Sequence, residues 1–304
     1  MTGAFLRYLC LFTFFLPYTL WSMLIGNPGQ PVMQKCGVLQ SVPSWWNLRA
    51  GYLSDYIYRA KFKDEFQFPN MPRSSSYIQL STDAALLTLN IKNVFDFYGI
   101  VGSSSLQLDH EIYTNREFAW GVGGKFIFFR SGSFRIGADF KYFETDQKPL
   151  YFVSEGLPYG VESDFHLKYS EIQAAIGMAY RIPLLAPYIQ VTYLISKLEP
   201  HPYVAAVRMP QAEFSDTPVD IVSKSVIGRR RWGMAVGATI ISNSKGSLTI
   251  ESRMINQNGV DVTGEIRFSK KPLTSLKLER GGKKTWRLPT LPYSCAQYHR
   301  RRGA

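Results

Sequence analysis

VDVTGEIRF, residues 260–268, sets Val260, Val262, Gly264, Ile266 and Phe268 against Asp261, Thr263, Glu265 and Arg267. Successive side chains of a β-strand point to opposite faces, so this stretch is a strand with one apolar face and one charged face. It ends on a phenylalanine. The last strand of an outer-membrane barrel has this form. The 36 residues that follow it, 269–304, lack the alternation and hold ten Lys/Arg against one acid, Glu279.

The tail explains most of the formal net charge of +12. Segment 23–268 carries 24 bases and 22 acids and is close to neutral, which removes the case for nucleic acid that a basic protein would otherwise invite. At the other end, one Arg7 precedes an apolar run from Tyr8 to Trp21. That run is too short for a bilayer-spanning helix, which needs about 20 residues, and suits the apolar region of an export signal cut after Ser22. No run of 18 apolar residues follows. An exported chain of this kind is either soluble or crosses the membrane as strands, because only helices and closed barrels satisfy their backbone in lipid.

Working back from 260, the same period of two runs through 46–62, 117–130, 134–144, 169–181, 188–196 and 248–254. In 117–130, Phe118, Trp120, Val122, Phe126 and Phe128 oppose Glu117, Gly121, Gly123 and Lys125. In 46–62 the alternation has two exceptions, Leu53 and Ile57, on the otherwise polar side. Long strands, short turns at Lys92-Asn93, Ser131-Gly132 and 243–246, and longer polar connections at 63–75 and 147–164 favour a transmembrane antiparallel β-barrel over a soluble sandwich. The 18 Tyr, 20 Phe and 6 Trp would then supply the aromatic girdles. Eleven strands can be read directly, and 202–209 is taken as a twelfth, because both ends of the barrel must lie on the same side of the membrane. The expectation is an all-β barrel of about twelve strands, with ten, fourteen or sixteen as alternatives. It is organised as a leader at 1–22, a periplasmic segment at 23–46, a barrel at 47–268 closed by strand 260–268 with Phe268 as its terminal aromatic, and a basic tail at 269–304. That tail reads either as a periplasmic arm for acidic polymers or as an extension past an ancestral stop after Phe268.

Together, IGNPGQP (25–31), NLRAGYLSDYIYR (47–59), YSEIQAAIGMAYR (169–181), APYIQVTY (186–193) and above all 233–268 resemble the chlamydial major outer membrane protein family of porins. The resemblance covers 23 to 268 and keeps the order of the motifs. It implies a general diffusion porin that also serves as bulk envelope material. Two features depart from the family: its cysteine-rich segment is reduced here to Cys36, and its long loops are trimmed. A shorter, divergent paralogue is the implication, and an intermolecular disulfide through Cys36 is left open.

In such a barrel the working residues are charges on the wet face. Alternation assigns Arg49, Asp55, Arg59, Lys125, Arg135, Asp139, Lys141, Glu171, Glu251, Arg253, Glu265 and Arg267 inward. They would line a pore or bridge across it, and their mixed signs predict weak ion preference. No enzyme is expected, since His110, His166, His201 and His299 show no spacing to a Ser or Asp partner. The glycines of FAWGVGGKF precede no helix, which excludes a phosphate loop and leaves close packing between strands. No cofactor is expected, and no Cys/His pattern suggests a metal. The expected partners are outer-membrane lipid and the barrel-assembly machinery, with a homo-oligomer left open and nucleic acid excluded. A non-conducting adhesin or structural barrel is the alternative function.

Overall fold

A computed structural model of the chain describes residues 26–32, 45–67, 74–108, 112–154, 157–161, 165–201, 204–208, 219–222, 225–242 and 246–268. The leader at 1–22, Cys36, His110, His299 and the tail at 269–304 lie outside the described residues. Sixteen strands are present: β1 (Trp46–Gln67), β2 (Ser74–Ile91), β3 (Phe95–Leu108), β4 (Ile112–Thr114), β5 (Glu117–Ser131), β6 (Phe134–Gln147), β7 (Pro149–Ser154), β8 (Leu157–Val161), β9 (His166–Tyr180), β10 (Leu185–His201), β11 (Val204–Arg208), β12 (Val219–Val222), β13 (Val226–Ile227), β14 (Trp232–Ser242), β15 (Gly246–Met254) and β16 (Gln257–Phe268).

Ten of them close a ring in the order β1-β2-β3-β5-β6-β9-β10-β14-β15-β16, and every neighbour is antiparallel. The seam is β1 against β16, with Leu48 opposite Phe268 and Tyr56 opposite Val260. The opening stretch is therefore the closing strand. Short turns join the ring strands at the end that also holds Trp46 and Phe268. At one of them Lys92 and Asn93 both have positive φ, of 50° and 53°, as the central residues of a primed turn require, and Val94 N closes the turn by donating to Ile91 O at 2.9 Å.

Among the described residues the ring has ten strands, the first of the alternatives to the expected twelve. Both segments counted as strands between 199 and 227 contain β-structure, but β12 pairs with β11, and β11 with β8, outside the ring, while β10 pairs directly with β14. At five and four residues they are shorter than the roughly 9–11 residues that a tilted strand needs to cross a bilayer. With β4, β7 and β8 they extend the sheet from the loop end of β3. The wall is low over β14–β16, and there the chain at 226–229 bridges β10 to β1 through Ile227 opposite Lys197, Phe62 opposite Gly228, and Arg229 N donating to Lys61 O at 2.8 Å.

Burial is inverted relative to a soluble sandwich. Along β16, Asp261, Thr263, Glu265 and Arg267 are buried, whereas Val262, Ile266 and Phe268 are exposed. Apolar side chains face outward and the ring encloses the charges. Where the band of lipid contact ends is legible from register. On β9 the outward positions Ile172, Ala174, Ile176, Met178 and Tyr180 give way to Ser170 and Lys168, and the neighbouring strands change at the same height, from Tyr142 to Glu144 and from Ile195 to Lys197. Nine residues, 172–180, thus match the span of a membrane strand. Aromatic pairs mark both borders: Trp120 with Tyr142 (5.4 Å) and Tyr193 with Trp232 (5.1 Å) at the loop side, and Phe95 stacked on Phe126 (4.8 Å) at the turn side. Such girdles flank the apolar band of outer-membrane barrels.

Ile176 lies at the middle of this band and is 61% exposed. Replacing it with Arg is expected to cost about 2–4 kcal/mol in equilibrium unfolding from lipid vesicles, against near zero for Lys168→Ala beyond the border. Equal effects of the two would contradict the placement of the membrane.

Candidate functional site

The interior has three layers. Nearest the short-turn end, Arg49 of β1 reaches Asp96 of β3 and lies 3.6 Å from Glu265 of β16. On the adjoining strands β5 and β6, Lys125, the register partner of Asp96, and Asp139 are cross-strand partners at 3.9 Å, and the Tyr98 hydroxyl donates to Asp139 at 2.9 Å. Gly123 makes room for that tyrosine, since a Cβ there would run into the Tyr98 ring. This is the close packing expected of the glycines in FAWGVGGKF.

The middle layer holds more acid than base. Asp261 is the register partner of both Asp55 and Glu251, so three carboxylates sit side by side across β1, β16 and β15. Arg253, one inward position along β15, lies 2.9 Å from Glu251 and 3.8 Å from Asp55. Lys141 pairs with Glu171 at 2.7 Å, and Glu171 also accepts from the Tyr169 hydroxyl at 3.0 Å and from Gln257 at 3.3 Å. Like charges directly opposite one another are unfavourable, so the basic side chains one step away are what make this row tenable.

At the loop end the interior is apolar. Ile57, Phe62, Ile78, Leu80, Leu106, Leu108, Phe143, Leu167, Leu198 and Val226 pack into one buried cluster. A wet lumen along its whole length, as the polar faces suggest, is therefore corrected for this half. Of the two exceptions in the first strand, Ile57 points inward into this cluster, and Leu53 points inward into a second buried cluster with Ala84, Leu86, Tyr98 and Ile100.

The short-turn half also contains chain. Residues 26–31, expected in the periplasm, are buried inside the ring. Gly26 N donates to Glu251 at 3.0 Å, Asn27 donates to Ala186 O at 3.0 Å and to Thr239 at 3.1 Å, and Gln30 donates to Glu265. In return Gln190 donates to Gly26 O at 2.8 Å, Arg49 to Gln30 O at 3.3 Å and Asn90 to Pro31 O at 3.1 Å. Gly137 on β6 lets the segment pass, because a Cβ there would lie 2.7 Å from Pro28 O.

Of the twelve residues assigned inward, Arg49, Asp55, Lys125, Asp139, Lys141, Glu171, Glu251, Arg253, Glu265 and Arg267 are buried within the ring. Arg135 is half-buried at the rim, where it caps the carbonyls of Gly132 and Phe134 at 2.6 Å. Arg59 is corrected to the outer face, where its guanidinium lies 5.4 Å from the centre of the Tyr77 ring. A β-bulge between Ile57 and Arg59 shifts the alternation by one residue, and nothing in the local sequence signals it. Asp96, Asp261, Tyr98 and Tyr188 are interior groups that the charge-by-strand reading passed over. Asp96 was legible, flanked as it is by outward Phe95 and Phe97. Among the histidines, His166 does meet an acid, Asp146 at 3.5 Å, but the pair is partly exposed at the loop end of the ring. No cluster suited to a metal ion occurs among the described residues.

Breaking a buried ion pair costs more than replacing it whole. Lys141→Met is expected to destabilise the lipid-embedded barrel by about 3–5 kcal/mol, and Lys141→Met with Glu171→Leu to recover most of that, as measured by urea unfolding. Arg59→Ala should stay within about 0.5 kcal/mol.

No family model matches the chain. Among curated proteins, the major outer membrane porin, serovar B, of Chlamydia trachomatis is 22% identical, over 82% of this chain and 95% of the relative. The major outer membrane porin of Chlamydia abortus is 23% identical, over 82% and 90%. Among solved structures, the β domain of the Bordetella autotransporter BrkA overlays with a TM-score of 0.41 at 9% identity, covering 75% of this chain and all of that one.

Proposed function

We infer that this chain, a divergent homologue of the chlamydial major outer membrane porins, is an outer-membrane porin that passes small hydrophilic solutes and contributes structure to the envelope. The observation that carries the reading is a closed ring with a lipid-facing apolar band outside and ionisable side chains inside, in a chain whose curated relatives are named as porins. Buried charge is costly in a sealed apolar core and ordinary beside water. A ten-stranded ring is narrow, little wider than eight-stranded barrels whose interiors side chains fill, so passage is restricted to small solutes and ions. Export by a leader removed after Ser22 belongs to the same proposal, as do outer-membrane lipid and the barrel-assembly machinery as partners. Self-association into a homo-oligomer is compatible with the exposed apolar band. The tail 269–304 stands outside the barrel on this reading, because Phe268 already pairs at the seam. No enzymatic role is proposed.

A second reading, a non-conducting structural barrel, is favoured by one feature, the apolar cluster that fills the loop end. Planar-bilayer recording and liposome swelling separate the two. Conductance with small steps and exclusion of sugars larger than a monosaccharide or disaccharide is the expected result; silence at every voltage would favour the structural barrel. Removal of 269–304 is expected to leave heat-modifiable barrel formation and conductance unchanged, and failure of the shortened chain to insert would place the tail in the working protein.

A further inference from the structure

We propose that residues 26–32 are a plug: a segment of the chain's own N-terminal region seated in the lumen, which must leave its seat for solute to pass. The proposal rests on the porin reading and adds what controls the pore. Its first ground is position. The segment touches inward groups of β1, β2, β6, β10, β14, β15 and β16, seven of the ten ring strands, so it crosses the lumen and does not merely line one wall.

Composition is the second ground. An unpaired chain segment inside a barrel must satisfy its backbone groups. Pro28 and Pro31 have no N–H to satisfy. Gly29 N is met by the Asn27 side chain at 2.8 Å and Gln30 N by Asn27 O at 3.0 Å, so a local turn closes two more donors without help from the wall. What remains is held by single hydrogen bonds to Glu251, Thr239, Glu265, Gln190, Arg49 and Asn90. Residues 26–31 offer the wall glycine, asparagine, proline and glutamine, and their side chains bring little apolar surface apart from the proline rings. Hydrogen bonds of this kind exchange for bonds to water with small net loss. A fixture meant to stay would be anchored by buried apolar side chains, as the loop-end cluster is. This seat can be vacated.

The third ground is that the seat would not collapse when vacated. Its wall is polar, and the charged groups in it are fixed across strands or along one, Arg49 with Asp96 and Glu265, and Glu251 with Arg253; water solvates such groups well.

The test uses the full chain with its native cysteines replaced by serine, refolded in lipid, with heat-modifiability confirming that each variant forms the barrel. Asn27→Cys with Thr239→Cys, whose wild-type side chains lie 3.1 Å apart, locks the plug through a disulfide. Asn27→Ala with Gln30→Ala releases it. Access to the seat is read separately, through the rate at which a small charged thiol reagent modifies Thr249→Cys, beside Thr239. The expected result is that the lock abolishes conductance until a reductant is added, while release raises conductance several-fold and speeds labelling at position 249. If wild type conducts and neither lock nor release alters conductance, the plug is overturned and the porin reading stands. Failure of the 27–239 disulfide to form under oxidation would also overturn the plug, since the segment would not occupy this seat. If no variant conducts although release speeds labelling, the porin reading falls and the plug falls with it.

Discussion

Hydrocarbon offers no partner for a backbone amide, and the rest of this structure follows from that. A sheet of ten strands with two free edges would leave a ladder of N–H and C=O groups in lipid at both of them. The seam between β1 and β16 removes both edges at once, and it does so through the strand whose alternation is cleanest in the sequence. Closure then fixes which face is inside. Since one residue of slip would turn Asp261, Glu265 and Arg267 to the lipid, the register of the seam is specified on both faces together.

Inside the ring a second constraint acts. The diameter of a ten-stranded barrel leaves little room, and what fills it differs along the axis. At the turn end the filling is ionised side chains plus a segment of main chain; at the loop end it is leucine, isoleucine and phenylalanine. The apolar end contributes as a soluble core does, by removing hydrocarbon surface from water. The charged end contributes little net stability for its size, because desolvation offsets attraction in buried ion pairs. A protein selected for stability alone would carry the loop-end chemistry throughout. That the turn end does not is the best physical sign that its polarity serves passage or exchange with water.

The fold class, the closing strand, the turn at Lys92-Asn93, the turn read at Ser131-Gly132 and found one residue along at Gly132-Ser133, and most inward charges were legible because period two survives over long strands. What failed has definite causes. The bulge after Ile57 is a backbone event that leaves no mark in residue type, so Arg59 was turned to the wrong side. Segments 204–208 and 219–222 have strand chemistry and do form strands, but strand propensity does not say which sheet a strand joins; their length was the available clue. Leu53 and Ile57 were visible as exceptions, and treating them as noise concealed the apolar end of the interior. Residues 26–31 showed only glycine, proline and amides, a composition that suits a solvent-exposed linker as well as a segment enclosed by polar walls.

The enclosed segment also sets an order of events during assembly. Gly26 is bonded to a residue 225 positions away, and Gln30 to one 235 positions away. Residues near the start of the chain therefore have no seat until residues near the end of the barrel exist and have paired. Contacts of such sequence separation form late and slowly, because the entropy of closing so long a loop must be met before any of them is made. Synthesis therefore delivers 26–32 before the strands that form its seat, and its two prolines, which lack an N–H, make it a poor partner for the edges of an unfinished sheet.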